Sequence, residues 1–182
     1  MLIGLTGTPG TGKTSVSNLL EKRRGYRAIH LNELIKEERL YSEVDEVRDT
    51  LVADMDKVSA RVSELVGNSY DVMILDSHLS HHIADIVIVL RTAPDKLRER
   101  LSSRNYSKAK VSENVDAEAL DVILIESVEW CEEVFEINTT EATVEEIANN
   151  VDEIVRALLH GDDNDVLLKY KPGAFDWSDD VF

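Results

Sequence analysis

The sequence predicts an α/β domain, an open parallel sheet covered by helices on both faces, and three observations predict it. Short apolar runs alternate with helical segments along the chain, the pattern that right-handed βαβ crossovers produce. The runs at 70–76 and 85–91 are apolar almost throughout, the second rich in Val and Ile, as strands buried on both faces must be. A glycine-rich segment stands between the first strand and the first helix, where such sheets hold their ligands.

Taken in order, residues 2–6 read as a short buried strand and 12–22 as a helix, with Val16, Leu19 and Leu20 at core spacing. Residues 28–31 form a second strand. The charged stretch 32–50 reads as irregular, with a short helix near 33–39. Leu51, Met55, Val58, Val62 and Leu65 recur at three- and four-residue steps and predict an amphipathic helix, stopped near Gly67 and Asn68. After the third and fourth strands, Thr92 and Pro94 open a helix to about Ser103. A polar stretch 104–110 follows, then one long helix over 112–133 and a fifth strand over 134–138. Thr143 with Glu146 makes a capping box for a last helix whose face is Ile147, Val151, Ile154 and Leu158. Trp130 and Phe135 are expected in the core. Residues 1–160 form one domain, and 161–182 read as an acidic, mobile tail.

Composition narrows the function classes. The chain has 182 residues, 43% of them hydrophobic, enough for a two-sided core. No apolar run approaches a membrane span, and the first residues lead straight into the glycine-rich segment as a strand rather than a signal peptide. The single cysteine, Cys131, permits no internal disulfide, which points to a reducing cytoplasm. The net charge of −16 argues against extended direct contact with nucleic acid and permits a basic protein partner.

The glycine-rich segment carries the chemistry. Residues 7–14, Gly-Thr-Pro-Gly-Thr-Gly-Lys-Thr, fit G-x-x-x-x-G-K-[ST]. Gly7, Gly10 and Gly12 let the backbone curl with its N–H groups inward, and the helix start presents further N–H groups and a positive dipole end to phosphates. Lys13 supplies a point charge between the β- and γ-phosphates of ATP. Thr14 offers a hydroxyl to Mg²⁺, and Ser15 adds a donor near the α-phosphate.

This loop serves kinases, switches, ATPases and motors alike, so other residues must narrow the reaction. Asp76 ends a strand where its carboxylate can reach a magnesium-bound water, and His78 follows it as a group able to act on a hydroxyl or water. Arginines cluster at Arg91, Arg98, Arg100 and Arg104; Arg98 reads as a surface charge and Arg104, opening the polar stretch, as functional. The two polar insertions, 32–50 and 104–110, fall where a monophosphate-binding flap and a lid would lie. His81 and His82 read as ordinary polar positions rather than a zinc site.

With these residues the chain resembles the archaeal form of the atypical adenylate kinases that also act in small ribosomal subunit maturation. The matching pieces are residues 7–15, Asp76 with His78, residues 89–92, Glu99 to Leu101, Arg104 with Tyr106, and residues 110–114 with Glu118, within a span of roughly 1–158. The resemblance implies a three-layer P-loop kinase fold, with about five parallel strands in the order 2-3-1-4-5. It implies a monophosphate-binding region near 30–53 and a lid near 103–113. It further implies ATP and Mg²⁺ as cofactors and AMP as acceptor, with ATPase activity beside the kinase reaction. Catalytic roles fall to Lys13, Asp76, His78 and Arg104. ATP binding falls to Gly10, Gly12, Lys13, Thr14, Ser15 and Arg104, magnesium binding to Thr14 and Asp76, partly through water. The partner it implies is a basic protein of the small-subunit platform. Two positions depart from the family pattern. Lys36 stands where arginine often grips the monophosphate, and lysine lacks the bidentate fork. Asn105 stands where the lid usually opens with glycine. Two other readings remain: an ATP-driven assembly factor with little kinase activity, and a kinase for a nucleoside or shikimate-like hydroxyl.

Overall fold

A computed structural model of the chain describes residues 1–45, 50–67, 69, 71–104, 106–161 and 164–178. In chain order the elements are β1 (Leu2–Thr6), α1 (Lys13–Arg24), β2 (Arg27–His30), α2 (Leu31–Glu37), β3 (Tyr41–Asp45), β4 (Thr50–Ala53), α3 (Met55–Val66) and β5 (Met73–Asp76). A 3₁₀ turn at Ser80–His82 leads to β6 (Ile86–Arg91), α4 (Pro94–Ser102), α5 (Lys108–Ala119), α6 (Val122–Trp130), β7 (Glu133–Asn138), α7 (Val144–His160) and α8 (Asn164–Lys169). Five strands make one parallel sheet in the order β2-β5-β1-β6-β7. Counting sheet strands alone, this is the expected 2-3-1-4-5 order, because β3 and β4 pair only with each other.

Alternation along the strands decides what each helix covers. Ile3, Leu5, Ile74, Ile88, Leu90 and Phe135 face α1 and α7, where they meet Val16, Leu20, Val151, Ile154 and Val155. On the other face, Ile29, Met73 and Leu75 meet Val58 and Val62 of α3, and Val87, Val89 and Val134 meet Leu124 of α6. The sheet is thus buried on both sides, as continuous apolar strands require. The Thr143–Glu146 capping box forms as expected, with both reciprocal hydrogen bonds present.

Several expectations are corrected. The stretch 32–50 is not irregular throughout: β3 and β4 form an antiparallel hairpin with a register shift between Tyr41 and Glu43. Leu51 belongs to β4, and α3 starts only at Met55, because Asp54 caps it by accepting from Lys57 N. The long helix of 112–133 is two helices. The chain breaks at Asp121, whose φ of 56° is left-handed, although no Gly or Pro marks the place. The first of the two starts early, at Lys108, with Ser107 as its cap. Trp130 is half exposed rather than core, while Phe135 is fully buried.

The C-terminal segment is packed where the sequence predicts a free tail. Tyr170 is buried, and its carbonyl accepts from Glu136 N at 2.7 Å on the outer edge of β7. Gly173 N and Ala174 N donate to the Glu136 carboxylate at 2.9 and 3.0 Å. An edge strand is thereby covered, which blocks further strand pairing there. Asn68, Tyr70, Asn105, residues 46–49 and 162–163, and the last residues 179–182 lie outside the described residues.

Candidate active site

The carboxyl ends of β1, β2 and β5 open on a cavity of about 940 Å³. Its floor is the loop from Gly7 to Gly12, held by a chain of local contacts. Gly7 adopts φ 128°, and a Cβ there would lie 2.3 Å from the Leu90 carbonyl oxygen, so only glycine lets the loop leave β1 against β6. Thr11 Oγ1 donates to Thr8 O at 3.0 Å, and Thr139 Oγ1 donates to Thr11 O at 3.1 Å, tying the loop to the end of β7. Thr8 Oγ1 donates to the Glu118 carboxylate of α5. Gly12 caps α1 in the left-handed region, at φ 102°. The first turn of α1 therefore meets the cavity with free N–H groups and exposed Thr14 and Ser15.

Lys13 is buried at the start of α1, and its Nζ donates to Gly7 O at 2.7 Å and Thr8 O at 3.1 Å. Burial lowers its pKa to about 8, opposed by the nearby carboxylates of Asp76 and Glu118. It remains mostly charged at neutral pH, and a phosphate anion beside it would restore its basicity.

Asp76, at the end of β5, is buried and lines the same cavity. Its Oδ2 is 2.9 Å from His30 Nδ1 and accepts from Ser17 Oγ at 3.4 Å. His30 is a site residue the sequence reading missed. The sequence places His30 in the second strand, but that it is the direct register partner of Asp76 at the sheet edge is visible only in the fold. Ser77 Oγ donates to Asn32 Oδ1 at 3.0 Å, so the turn after β5 is also bound to the start of α2.

His78 lines the cavity beside Asp76. Burial, and then the positive charge of Lys13, push its pKa down to about 4, so it is a neutral imidazole at pH 7. An unfolded histidine titrates near 6.5, so protonation favours the unfolded chain. The resulting penalty is absent well above pH 6.5, grows as pH falls through that value, and is complete near pH 4, where it reaches at most about 3 kcal/mol. His78→Gln is expected to flatten this part of the acid slope of stability. Urea unfolding at about pH 7 and pH 5 reads it. Parallel slopes for the two proteins would contradict the assignment.

Of the four clustered arginines, only Arg104 lines the cavity. It comes from the segment between α4 and α5, which also supplies Tyr106 and Ser107, with Lys110, Glu113 and Asn114 following on α5. Arg98 is exposed. Arg100 is structural: it donates to Thr139 O at 2.7 Å and Thr140 O at 3.1 Å, fixing the loop after β7. Arg91 is fully buried and donates to Glu118 Oε1 at 2.9 Å, to Glu136 Oε1 at 2.6 Å and to Asp121. It also donates to Glu118 O at 3.3 Å, which explains the helix break at 120–121: one guanidinium gathers the groups at the α5–α6 junction. Lys36 is exposed on α2 and is not among the cavity-lining residues; His30, Asn32 and Glu33 are.

The chain resembles known proteins along most of its length. A family profile described as an AAA domain matches residues 3–121. A protein of Methanosarcina acetivorans named "Putative adenylate kinase" is 58% identical over 186 residues, covering 100% of both chains. The chain belongs to this archaeal P-loop family. Members given the same name occur in Methanosarcina barkeri, 57% identical over 98% of each chain, and in Archaeoglobus fulgidus, 43% identical over 97% of this chain and 92% of that one. In fold the chain is similar to two solved shikimate kinases. Shikimate kinase from Bacteroides thetaiotaomicron superposes with a TM-score of 0.58 at 18% identity, over 86% of this chain and 98% of that chain. Shikimate kinase from Acinetobacter baumannii, solved with shikimate, gives 0.60 at 15% identity, over 86% and 93%. Among the described residues no helix is long and apolar enough to cross a membrane.

Proposed function

We propose that the protein is a nucleoside monophosphate kinase, converting ATP and AMP into two ADP, with some ATPase activity beside it. The observation that carries this reading is a single cavity lined by two groups of residues suited to two nucleotides. Gly10, Gly12, Lys13, Thr14, Ser15 and Arg104 suit a triphosphate; His30, Asn32 and Glu33, at the start of α2, lie open to an acceptor. The name given to the archaeal relatives supports the same reaction.

The residues divide the work by their chemistry. The loop amides and the α1 N-terminus donate hydrogen bonds to the β- and γ-phosphate oxygens. Lys13 turns its ammonium from the loop carbonyls to the phosphates, and Arg104, brought in by the 103–113 lid, spreads charge over the equatorial oxygens. An oxygen donor set of the Thr14 hydroxyl and, through water, the Asp76 carboxylate fits Mg²⁺, which would neutralise the β- and γ-phosphate oxygens. His30 holds the Asp76 carboxylate in place. Neutral His78 can donate or accept a hydrogen bond beside the transferred group without adding charge. An acceptor phosphate oxygen then attacks the γ-phosphorus in line as its bond to the β–γ bridging oxygen breaks and ADP leaves, and exclusion of water by the lid favours transfer over hydrolysis.

A coupled assay with ATP, Mg²⁺ and each monophosphate in turn tests this. ADP formation should require an acceptor and be fastest with AMP. Turnover unaffected by any monophosphate would instead favour the second reading, an ATP-driven assembly factor that docks a basic small-subunit ribosomal protein. The net charge of −16 and the exposed apolar face of α6, with Val122, Ile125 and Val128, favour such a partner. Adding that protein to the same assay should then change the rate of ATP hydrolysis.

A further inference from the structure

We propose that His81, His82 and Glu126 form a binding site for a divalent cation of the zinc class, separate from the nucleotide cavity. The two imidazoles come from the 3₁₀ turn after β5 and the carboxylate from α6. One ligand atom from each residue lies within 4.8 Å of the others. His81 Nε2 is already 3.1 Å from Glu126 Oε2. Two ligands at about 2.0–2.2 Å from one tetrahedral ion lie about 3.3–3.6 Å apart, so His81 and Glu126 already stand near that spacing and the trio closes by rotation of His82 and Glu126 towards the ion. His82 is exposed and Glu126 half-buried, and both can turn. Two imidazoles and one carboxylate suit Zn²⁺, with water as the fourth ligand.

The buried member is oriented from behind. His81 Nδ1 is 3.3 Å from Thr6 Oγ1, and that hydroxyl donates to His78 O at 3.4 Å. An ion would select the tautomer with the proton on Nδ1 and directed at Thr6, which frees the Nε2 lone pair, and would replace the Nε2–Glu126 hydrogen bond by shared coordination. The Nδ1–Thr6 contact is then the outer hydrogen bond that fixes the tautomer of metal-bound histidines. A cleft of about 330 Å³, lined by both histidines, Asp85 and Trp130, gives an ion a path and room for its water. The acidic surface raises the local concentration of cations. A bound ion would clamp α6 to the turn, and through Thr6 to the root of the phosphate loop.

Trp130 supplies the readout, since its ring lies 5.7 Å from the His81 ring and 4.9 Å from that of His82. Metal-stripped protein without an affinity tag is titrated with Zn²⁺ by calorimetry and with Cu²⁺ by tryptophan fluorescence, both without nucleotide. One Zn²⁺ per chain is expected, with quenching by Cu²⁺. His82→Ala and Glu126→Gln, which leave the buried His81 in place, should each weaken zinc binding by about tenfold or more. Trp130→Phe should keep the zinc affinity and lose most of the quenching. The proposal is overturned if the parent binds no zinc, if His82→Ala binds as tightly as the parent, or if the affinity is lost in His30→Ala instead.

Discussion

Lys13→Met is expected to lower phosphoryl-transfer turnover by roughly 10²–10³-fold, the loss found when one preorganised donor to a developing anion is removed. Methionine keeps most of the stem but none of the three N–H donors. In the fold it would remove the ammonium now bonded to Gly7 O and Thr8 O. Stability should move differently from activity. Burial holds the Lys13 pKa down to about 8, which means that the folded protein carries this charge at a cost. The thermal midpoint of the variant should therefore stay level or rise while turnover falls. Steady-state kinetics and a melting curve on the same preparation separate the two effects. Turnover at the parent rate would contradict the role given to Lys13.

The largest effect on stability is expected from Arg91→Met. Its guanidinium is the shared partner of Glu118 and Glu136, each only 3% exposed, and it reaches Asp121 as well. Trp177 stacks on it from the C-terminal segment, with the guanidinium carbon 4.8 Å from the ring centre. Methionine fills part of the volume but leaves two buried carboxylates without their counter-charge. Breaking one side of a buried ion pair in this way costs about 3–5 kcal/mol. Burial already pushes the Glu136 carboxyl up, so protonation should relieve part of the loss. Adding Glu118→Gln and Glu136→Gln should recover some of the stability, since neutral amides need no counter-ion. Urea unfolding at neutral pH measures this, and a loss under about 1 kcal/mol, the size of an ordinary substitution, would contradict the hub.

The contrast between these two residues shows what the sequence makes legible. Lys13 is readable because its neighbours in the chain are its neighbours in space: strand, glycines, lysine and helix form one local unit. The same holds for the Thr143 capping box and for the alternating apolar strands that fix the sheet. Asp76 and His78 are readable as cavity-lining residues because a strand end on an open parallel sheet lies at the edge where such a cavity opens. Arg91 sits at an equally good strand end, yet it is structural. Its partners lie 27, 30 and 45 residues away and leave no periodic trace. The break at Asp121 follows from those contacts, not from a local breaker, so the helical pattern of 112–133 runs through it unmarked.

Tertiary partners explain the other differences. Among the described residues the β3–β4 hairpin pairs only with itself, and Val44 and Val52 stay exposed, so its strands carry no fully buried face to mark them in the sequence. The C-terminal segment reads as a solvated tail because its Asp residues cluster at both ends and Lys171, Pro172 and Gly173 break any regular pattern. It is nonetheless held by Tyr170, and by the Gly173 and Ala174 amides that donate to a carboxylate on β7. His30 escaped notice because a lone histidine at a strand end is common; its bond to Asp76 exists only once β2 lies beside β5. Glu126 and His81 likewise meet only in the fold, which is why two adjacent histidines alone give no metal site.

The central claim is that one cavity seats a triphosphate on the loop side and a monophosphate at the start of α2. Calorimetry with a bisubstrate analogue, two adenosines joined by five phosphates, tests it most directly. The account predicts one analogue bound per chain, tighter than ATP alone, with Lys13→Met sharply weakened. Binding no tighter than ATP, or unaffected by Lys13→Met in folded protein, would contradict it.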